Sequence, residues 1–171
     1  NYYSGEPVTG LEQGCPLLTR LPEGRFTLAN FMRAQLFSML ASLRIGMDIL
    51  FEKEGVRLDH LVGHGGFFKT RGVGQQVMAS AMHVPVLVMD TAGEGGAWGI
   101  ALLASYMLHR EEEETLEDYL SNRVFAESRG ERLAPDNALR LSFDQYLKRY
   151  IKCLAAEREA AAALYGSGLL K

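Results

Sequence analysis

Gly63-His64-Gly65-Gly66 closes an apolar run and leads into Phe67, Phe68 and Lys69, and this is the stretch of the chain best suited to holding a ligand. Glycines strip Cβ atoms from a turn, permit positive φ and let a ligand approach the backbone closely. Such a turn can also set backbone N–H groups and a helix N-terminus beside a nucleotide, where bare donors and the helix dipole favour polar contact. A strand, a glycine turn, a helix and a further strand is the layout of a nucleotide-binding crossover, and equally of crossovers that bind nothing. Taken alone, the motif fits a purely structural turn as well as it fits a nucleotide site. His60 and His64 stand four apart, but they span a strand and its turn, and no Cys or Asp joins them. Their spacing therefore assigns no metal. Glu94 lies in the first turn of a glycine-rich helix, where a carboxylate suits the dipole as a cap.

The elements that must position these residues are legible in outline. His60 to Gly63 reads as a short strand and Gly74 to Met82 as a helix. Val84 to Met89, β-branched and apolar without alternation, reads as a strand covered on both faces. Gly93 to Leu108 reads as a helix in which Gly95, Gly96, Gly99 and Ala101 predict close packing against a neighbour. That packing would offset a propensity cost of roughly 1 kcal/mol per glycine. Upstream, Thr27 can cap a long helix in which Phe31, Leu36, Met39, Leu40, Leu43, Met47, Leu50 and Phe51 recur at helical spacing. Gly46 is the place for a bend in it, and Gly55 stops the run. Trp98 and the methionines at 32, 39, 47, 78 and 82 are expected in the core. Glu111 to Glu114 reads as a solvated helix end or loop. Thr115 to Asn122 and Ser142 to Ala163 read as helices, with Arg123 to Leu141 as the connector. In the last helix Phe143, Tyr146, Leu147, Tyr150, Ile151 and Leu154 form one stripe.

At 171 residues, 47% hydrophobic and 23% charged, the chain has the size and composition of one globular domain. Residues 1–26 hold three of the five prolines and read as a looped entry segment, and residues 115–171 supply C-terminal helices to a single domain spanning 1–171. A net charge of −3 gives no footprint for nucleic acid or an anionic membrane. Gly, Glu or Arg interrupt the apolar patches short of a membrane span. The two cysteines, Cys15 and Cys153, form no disulfide framework, and a reducing cytoplasm is expected. The chain opens without a Met or a signal pattern, as if cut from something longer.

"YYSGEP" (Tyr2 to Pro7), the long helix from Leu28, "LVGHGG" (Leu61 to Gly66), "GEGGAWGIALLA" (Gly93 to Ala104) and "FDQYLKRYIKCL" follow one another along nearly the whole chain. In that order they resemble the C-terminal lobe of the FGGY carbohydrate kinases, relatives of actin and hexokinase. "YYSGEP" resembles the family's Y-L-S-G-E-R-x-P segment, and "LVGHGG" resembles its adenosine loop, x-x-G-G-G-A. "GEGGAWGIALLA" is similar to E-x-A-G-A-L-G-A-A-x-L-A, the helix after the next strand. The final stretch resembles a closing, Tyr-containing helix. This chain departs from the pattern at three places. Ser38-Met39 or its neighbours stand for the Glu-Gly pair of the long helix, His64 stands for the central Gly of the adenosine loop, and "FFKTRGVGQ" is longer than the common spacing.

The resemblance implies an α/β, helix-dominated fold, the C-terminal part of a ribonuclease-H-like lobe of the actin and hexokinase type. It implies ATP-dependent phosphorylation of a sugar or polyol by the full-length protein, with a ketopentose such as xylulose as substrate. Gly65 and Gly66 match the last Gly and the Ala of the adenosine loop, so Gly63, His64, Gly65 and Gly66 become the expected adenosine contacts. Lys69 follows where a side chain can reach the base or ribose, unless it and Arg71 are solvated loop charges. Phosphoryl transfer needs a base for the hydroxyl proton, groups cradling the phosphates, and Mg²⁺. In the family those belong to other parts of the protein, so no catalytic residue is expected in this chain, ATP and Mg²⁺ are expected to be held largely outside it, and the isolated chain is expected to be inactive. ATP and a small sugar or polyol are the expected partners, and homodimerisation is open. The competing reading is a non-catalytic nucleotide-binding or scaffold module whose glycines serve packing.

Overall fold

The structure is a computed structural model that describes residues 6–90, 92–126 and 129–166. Tyr2 to Gly5 of "YYSGEP", and the side chain of Glu94, lie outside the described residues. The chain divides into two compact units, one built from residues up to Arg57, Ser80–His83 and Asp136 onward, the other from Leu58–Ala79 and Val84–Pro135.

The second unit carries the glycine turn. Strand β1 (Leu61–Gly63) runs parallel to β2 (Val86–Met89), with Leu61 opposite Val86 and Gly63 opposite Val88. Helix α2 (Val73–Met82) lies between them in sequence, so the expected crossover forms. Of β2, Val86 is fully buried while Leu87, Val88 and Met89 are half-buried, so its cover is thinner than its composition predicts. A third strand, β3 (Gly130–Leu133), pairs antiparallel with β2 inside the stretch expected to be a connector. "GERL" has no strand-like pattern of its own, and pairing with β2 creates the strand. Gly130 suits that contact, because a Cβ there would come within 2.6 Å of Leu87 and 2.8 Å of Met89.

Gln75 fastens this sheet to α2. Its buried amide donates to the carbonyls of Val86 (2.8 Å) and Glu131 (2.6 Å), one on each of two adjacent strands. Gln75→Leu would leave both acceptors without that donor, and we expect a loss of about 1–3 kcal/mol in urea unfolding. An unchanged midpoint would show that the carbonyls find other donors.

In the first unit, Thr27 caps α1 (Leu28–Asp48) as expected, its hydroxyl accepting from the Asn30 N–H at 3.2 Å. The helix stays regular through Gly46 and then widens into a π-helical turn at Ile49–Lys53. Its buried stripe is Phe37, Leu40 and Ala41, which faces α5 (Asn137–Gly166) with Phe37 edge-on to Phe143 at 5.3 Å. Met32 and Met39 fall off that stripe and are exposed, Met47 and Met78 are half-buried, and Met82 alone of the five is fully buried. The expectation of a methionine core is corrected accordingly. The sequence expectation on apolar length also needs correction: Leu28–Lys53, with a mean hydropathy of 1.3 in its most apolar window, is long and apolar enough to cross a membrane by length and composition. Helix α5 starts before Ser142, because the Asp136 carboxylate accepts from the Leu139 N–H at 2.7 Å and caps it. The entry segment is anchored to α5 by Arg158 donating to the Thr9 carbonyl and Tyr165 to that of Gly14.

Candidate nucleotide site

Gly63 and Gly65 each have a local reason to be glycine. At Gly63 a Cβ would lie 2.5 Å from the Phe68 ring, so this glycine serves aromatic packing. Gly65 has φ 94° and ψ −175°, a region open almost only to glycine. Its N–H donates to the Ala92 carbonyl at 2.7 Å, tying the turn after β1 to the turn after β2, and its carbonyl accepts from Phe68 at 3.1 Å. Gly66–Phe68 is a 3-10 turn in which the Phe67 and Phe68 rings pack edge to face at 5.3 Å. The start of "FFKTRGVGQ" thus folds into a half-buried aromatic pair. Gly74 belongs to the same device, since a Cβ there would collide with the Phe67 carbonyl.

After β2, a 3-10 turn at Ala92–Glu94 leads into α3 (Gly95–His109). Gly95 takes φ 39° and approaches Gly65, whose Cα lies 3.6 Å from the place of a Gly95 Cβ. Beyond it the close-packing expectation fails. Apart from its chain neighbours and the helix's own backbone, no heavy atom of the described residues lies within 4 Å of a Cβ placed on Gly96 or Gly99, Ala101 is exposed, and α3 has no buried residue.

The small face of α3 borders a cavity of about 420 Å³ instead. Gly65, Gly95, Gly96 and Gly99 form a floor of bare backbone, with His64 beside it. Trp98, Leu102 and Leu103 make one apolar wall and Leu116, Leu120 and Phe125 the other. Trp98 is half-buried rather than core, and meets Phe125 edge to face at 5.6 Å. The second wall comes from α4 (Leu116–Tyr119), capped by Thr115, and a π-helical turn at Leu120–Val124. It is braced on α3 by a Ser105–Tyr119 hydroxyl hydrogen bond of 2.8 Å and by Tyr106 donating to the Glu114 carbonyl at 2.8 Å. Glu111 and Glu114 are not merely solvated, because both pair with Arg123. The hydrogen bond that Arg123 donates to the Glu111 carboxylate, followed by the charges of both carboxylates, holds the guanidinium above its ordinary pKa against some desolvation.

Of the residues singled out by sequence, His64 and Gly65 line the cavity, whereas Gly63, Gly66 and Lys69 do not. Lys69 is exposed, with its Cε 3.9 Å from the place of a Gly93 Cβ. The residues sequence reasoning missed are the α3 face and the second wall. Gly95, Gly96, Gly99, Leu102 and Leu103 carry a helical-face spacing that was visible, and Leu116 and Leu120 stand four apart in an expected helix, while Phe125 lies beyond it with no such signal. Among the described residues no group of three His, Cys, Asp or Glu side chains could hold a metal ion. A wider cavity of about 740 Å³ lies within the first unit, lined by Phe26, Phe31, Tyr146, Tyr150 and Arg149 among others, and none of the glycines after β1 or in α3 borders it.

The sequence model for the FGGY family of carbohydrate kinases, C-terminal domain, matches residues 1–108. A ligand-bound xylulose kinase from Lactobacillus acidophilus aligns with a TM-score of 0.55 at 19% identity, over 85% of this chain and 28% of that one. The xylulose kinase from Rhodospirillum rubrum aligns with a TM-score of 0.51 at 24% identity, over 81% of this chain and 26% of that one. No curated protein matches the chain. The chain thus spans 28% and 26% of the lengths of these two kinases, and the likeness to them is one of fold, mixed α/β and helix-dominated.

Proposed function

Because this chain belongs to the FGGY family of carbohydrate kinases, we propose that the intact protein transfers a phosphoryl group from ATP to a sugar or polyol, with a ketopentose such as xylulose as substrate. In this reading the chain supplies the adenosine side of the ATP site, and the protein works in the cytoplasm.

The observation that carries the reading is the bare floor of the cavity. Gly63 and Gly74 are explained by packing on Phe68 and Phe67, as a scaffold module would require. Gly96 and Gly99 are not, because beyond the helix's own backbone none of the described residues comes within 4 Å of where their Cβ atoms would go. Glycines that weaken a helix and touch nothing leave room for a ligand against the backbone. The apolar walls suit the faces of a base, and the cavity volume of about 420 Å³ lies within the usual range for small-molecule sites. When bound, ATP would supply the phosphoryl group. The residues of this chain hold and orient the nucleoside and exclude water from its base. Among the described residues that line the cavity none is acidic, and in this reading Mg²⁺ sits with the phosphates.

The test is sugar-dependent ADP release by the intact protein, across pentuloses, hexuloses, glycerol and ribitol. Turnover is expected to be fastest with a pentulose. Absence of sugar-dependent ADP release with every acceptor would contradict the kinase reading.

A further inference from the structure

We infer that α1 is an interior helix of the intact protein, and that its bare apolar stripe is covered by polypeptide of the same molecule lying outside this chain. The inference is independent of the nucleotide reading.

Leu28, Met32, Met39 and Leu43 fall within about 60° of one another around α1, at roughly 100° per residue, and Leu50 carries the line into the π-helical turn. Each of the five is between 41% and 76% exposed. Phe37 and Ala41 lie on the opposite side of the helix and are buried, Phe37 against Phe143 of α5. The charged residues between Leu28 and Leu50 are Arg33, Arg44 and Asp48, and all three fall on the half away from the stripe. Arg44 is spent on the Asp48 carboxylate and the Ala81 carbonyl, both at 2.6 Å. A helix at the surface of a globular protein turns a polar face to water, whereas one that is apolar on both sides is buried on both.

The chain spans 28% and 26% of the two xylulose kinases whose fold it shares, so in a protein of their length most of the polypeptide lies outside it. An uncharged run of Leu and Met along a helix has the composition of a core cut in half, which is how permanent contacts look. A second copy of α1 fits less well. Gln35, Ser42 and Met47 flank the stripe without the charges that set register and partner between paired helices. Lipid fits less well still. Leu28–Lys53 is long and apolar enough to span a bilayer, but it carries Arg33, Arg44 and Asp48 and packs one side on α5. A helix lying on a bilayer would turn that second side to water.

Photo-methionine, a nearly isosteric diazirine analogue, incorporated into the intact protein tests this. On irradiation a carbene at position 32 or 39 inserts into whatever covers it, and into water where nothing does. Denaturing electrophoresis separates single-chain from double-mass product, and mass spectrometry maps the adducts, with Met32→Leu and Met39→Leu assigning them to each position. The expected result is cross-links from both positions to sequence outside these 171 residues, in product that keeps the mass of one chain. The water adduct that both positions give in urea should be lost in the folded protein. Adducts from α1 in double-mass product would overturn the inference in favour of a second copy. Adducts confined to the 171 residues themselves, or water adducts alone, would overturn it as well. So would adducts on phosphatidylglycerol when vesicles of that lipid are added. The readout is the place of the adduct, so the result stands whether or not the kinase reading holds.

Discussion

Gly99→Leu is expected to weaken ATP binding by roughly tenfold to a hundredfold while leaving thermal stability unchanged or raised. Both halves follow from one geometric fact. Gly99 sits inside α3, and beyond its chain neighbours and the helix's own backbone no heavy atom of the described residues lies within 4 Å of the Cβ it would gain. Replacing a helical glycine normally stabilises by up to about 1 kcal/mol. Nothing in the described structure charges a clash against that gain. The same side chain would enter the cavity that Gly99 lines, and forcing a ligand against a new methylene group commonly costs about 1–3 kcal/mol. Gly96→Leu, one turn earlier on the same face, should behave alike. Calorimetric titration with ATP beside a thermal melt separates the outcomes. A lowered Tm in both variants with ATP affinity intact would show that the small face of α3 packs against protein after all.

Phe143→Ala should produce the largest loss of stability, about 3–5 kcal/mol. The residue has no exposed surface, and its ring meets Phe37 edge-on at 5.3 Å. Phe37 in turn meets Tyr146 at 5.4 Å, so truncation opens a cavity and removes one partner of an aromatic chain. Phe143→Leu should lose distinctly less, because most of the volume stays filled. Urea unfolding followed by circular dichroism would show it, and equal midpoints for wild type and Phe143→Ala would refute the assignment of Phe143 as the keystone of this core.

Local pattern was the reliable guide wherever an element rests on its own sequence. Thr27 caps α1 and the apolar spacing carries the helix through to the π-helical turn, because both depend on neighbours within one or two turns. The crossover from β1 through α2 to β2 was legible for the same reason. Strand β3 was not, since "GERL" becomes a strand only by pairing with β2 some forty residues away in the chain. The floor of the cavity was half visible. His64 and Gly65 were singled out from the glycine turn, while the glycines of α3 were recognised as a small face but assigned to packing. Small residues at helical spacing admit a neighbouring helix and a ligand equally well, and only the empty space beside Gly96 and Gly99 tells the two apart. Phe67 and Phe68 were read as mere extra length, because nothing local announces that their rings demand glycine at positions 63 and 74.

The most direct test of the central claim, that the glycine-floored cavity receives the adenosine of ATP, is photolabelling of the intact protein with an azidoadenine analogue of ATP and mapping of the adducts by mass spectrometry. The expected result is labelling, suppressed by excess ATP, on peptides carrying His64–Gly65, the α3 segment around Trp98, or the Leu116–Phe125 wall. ATP-protected adducts confined to the wider cavity of the first unit, around Phe26, Phe31 and Tyr150, or no ATP-protected adduct in this chain at all, would contradict it.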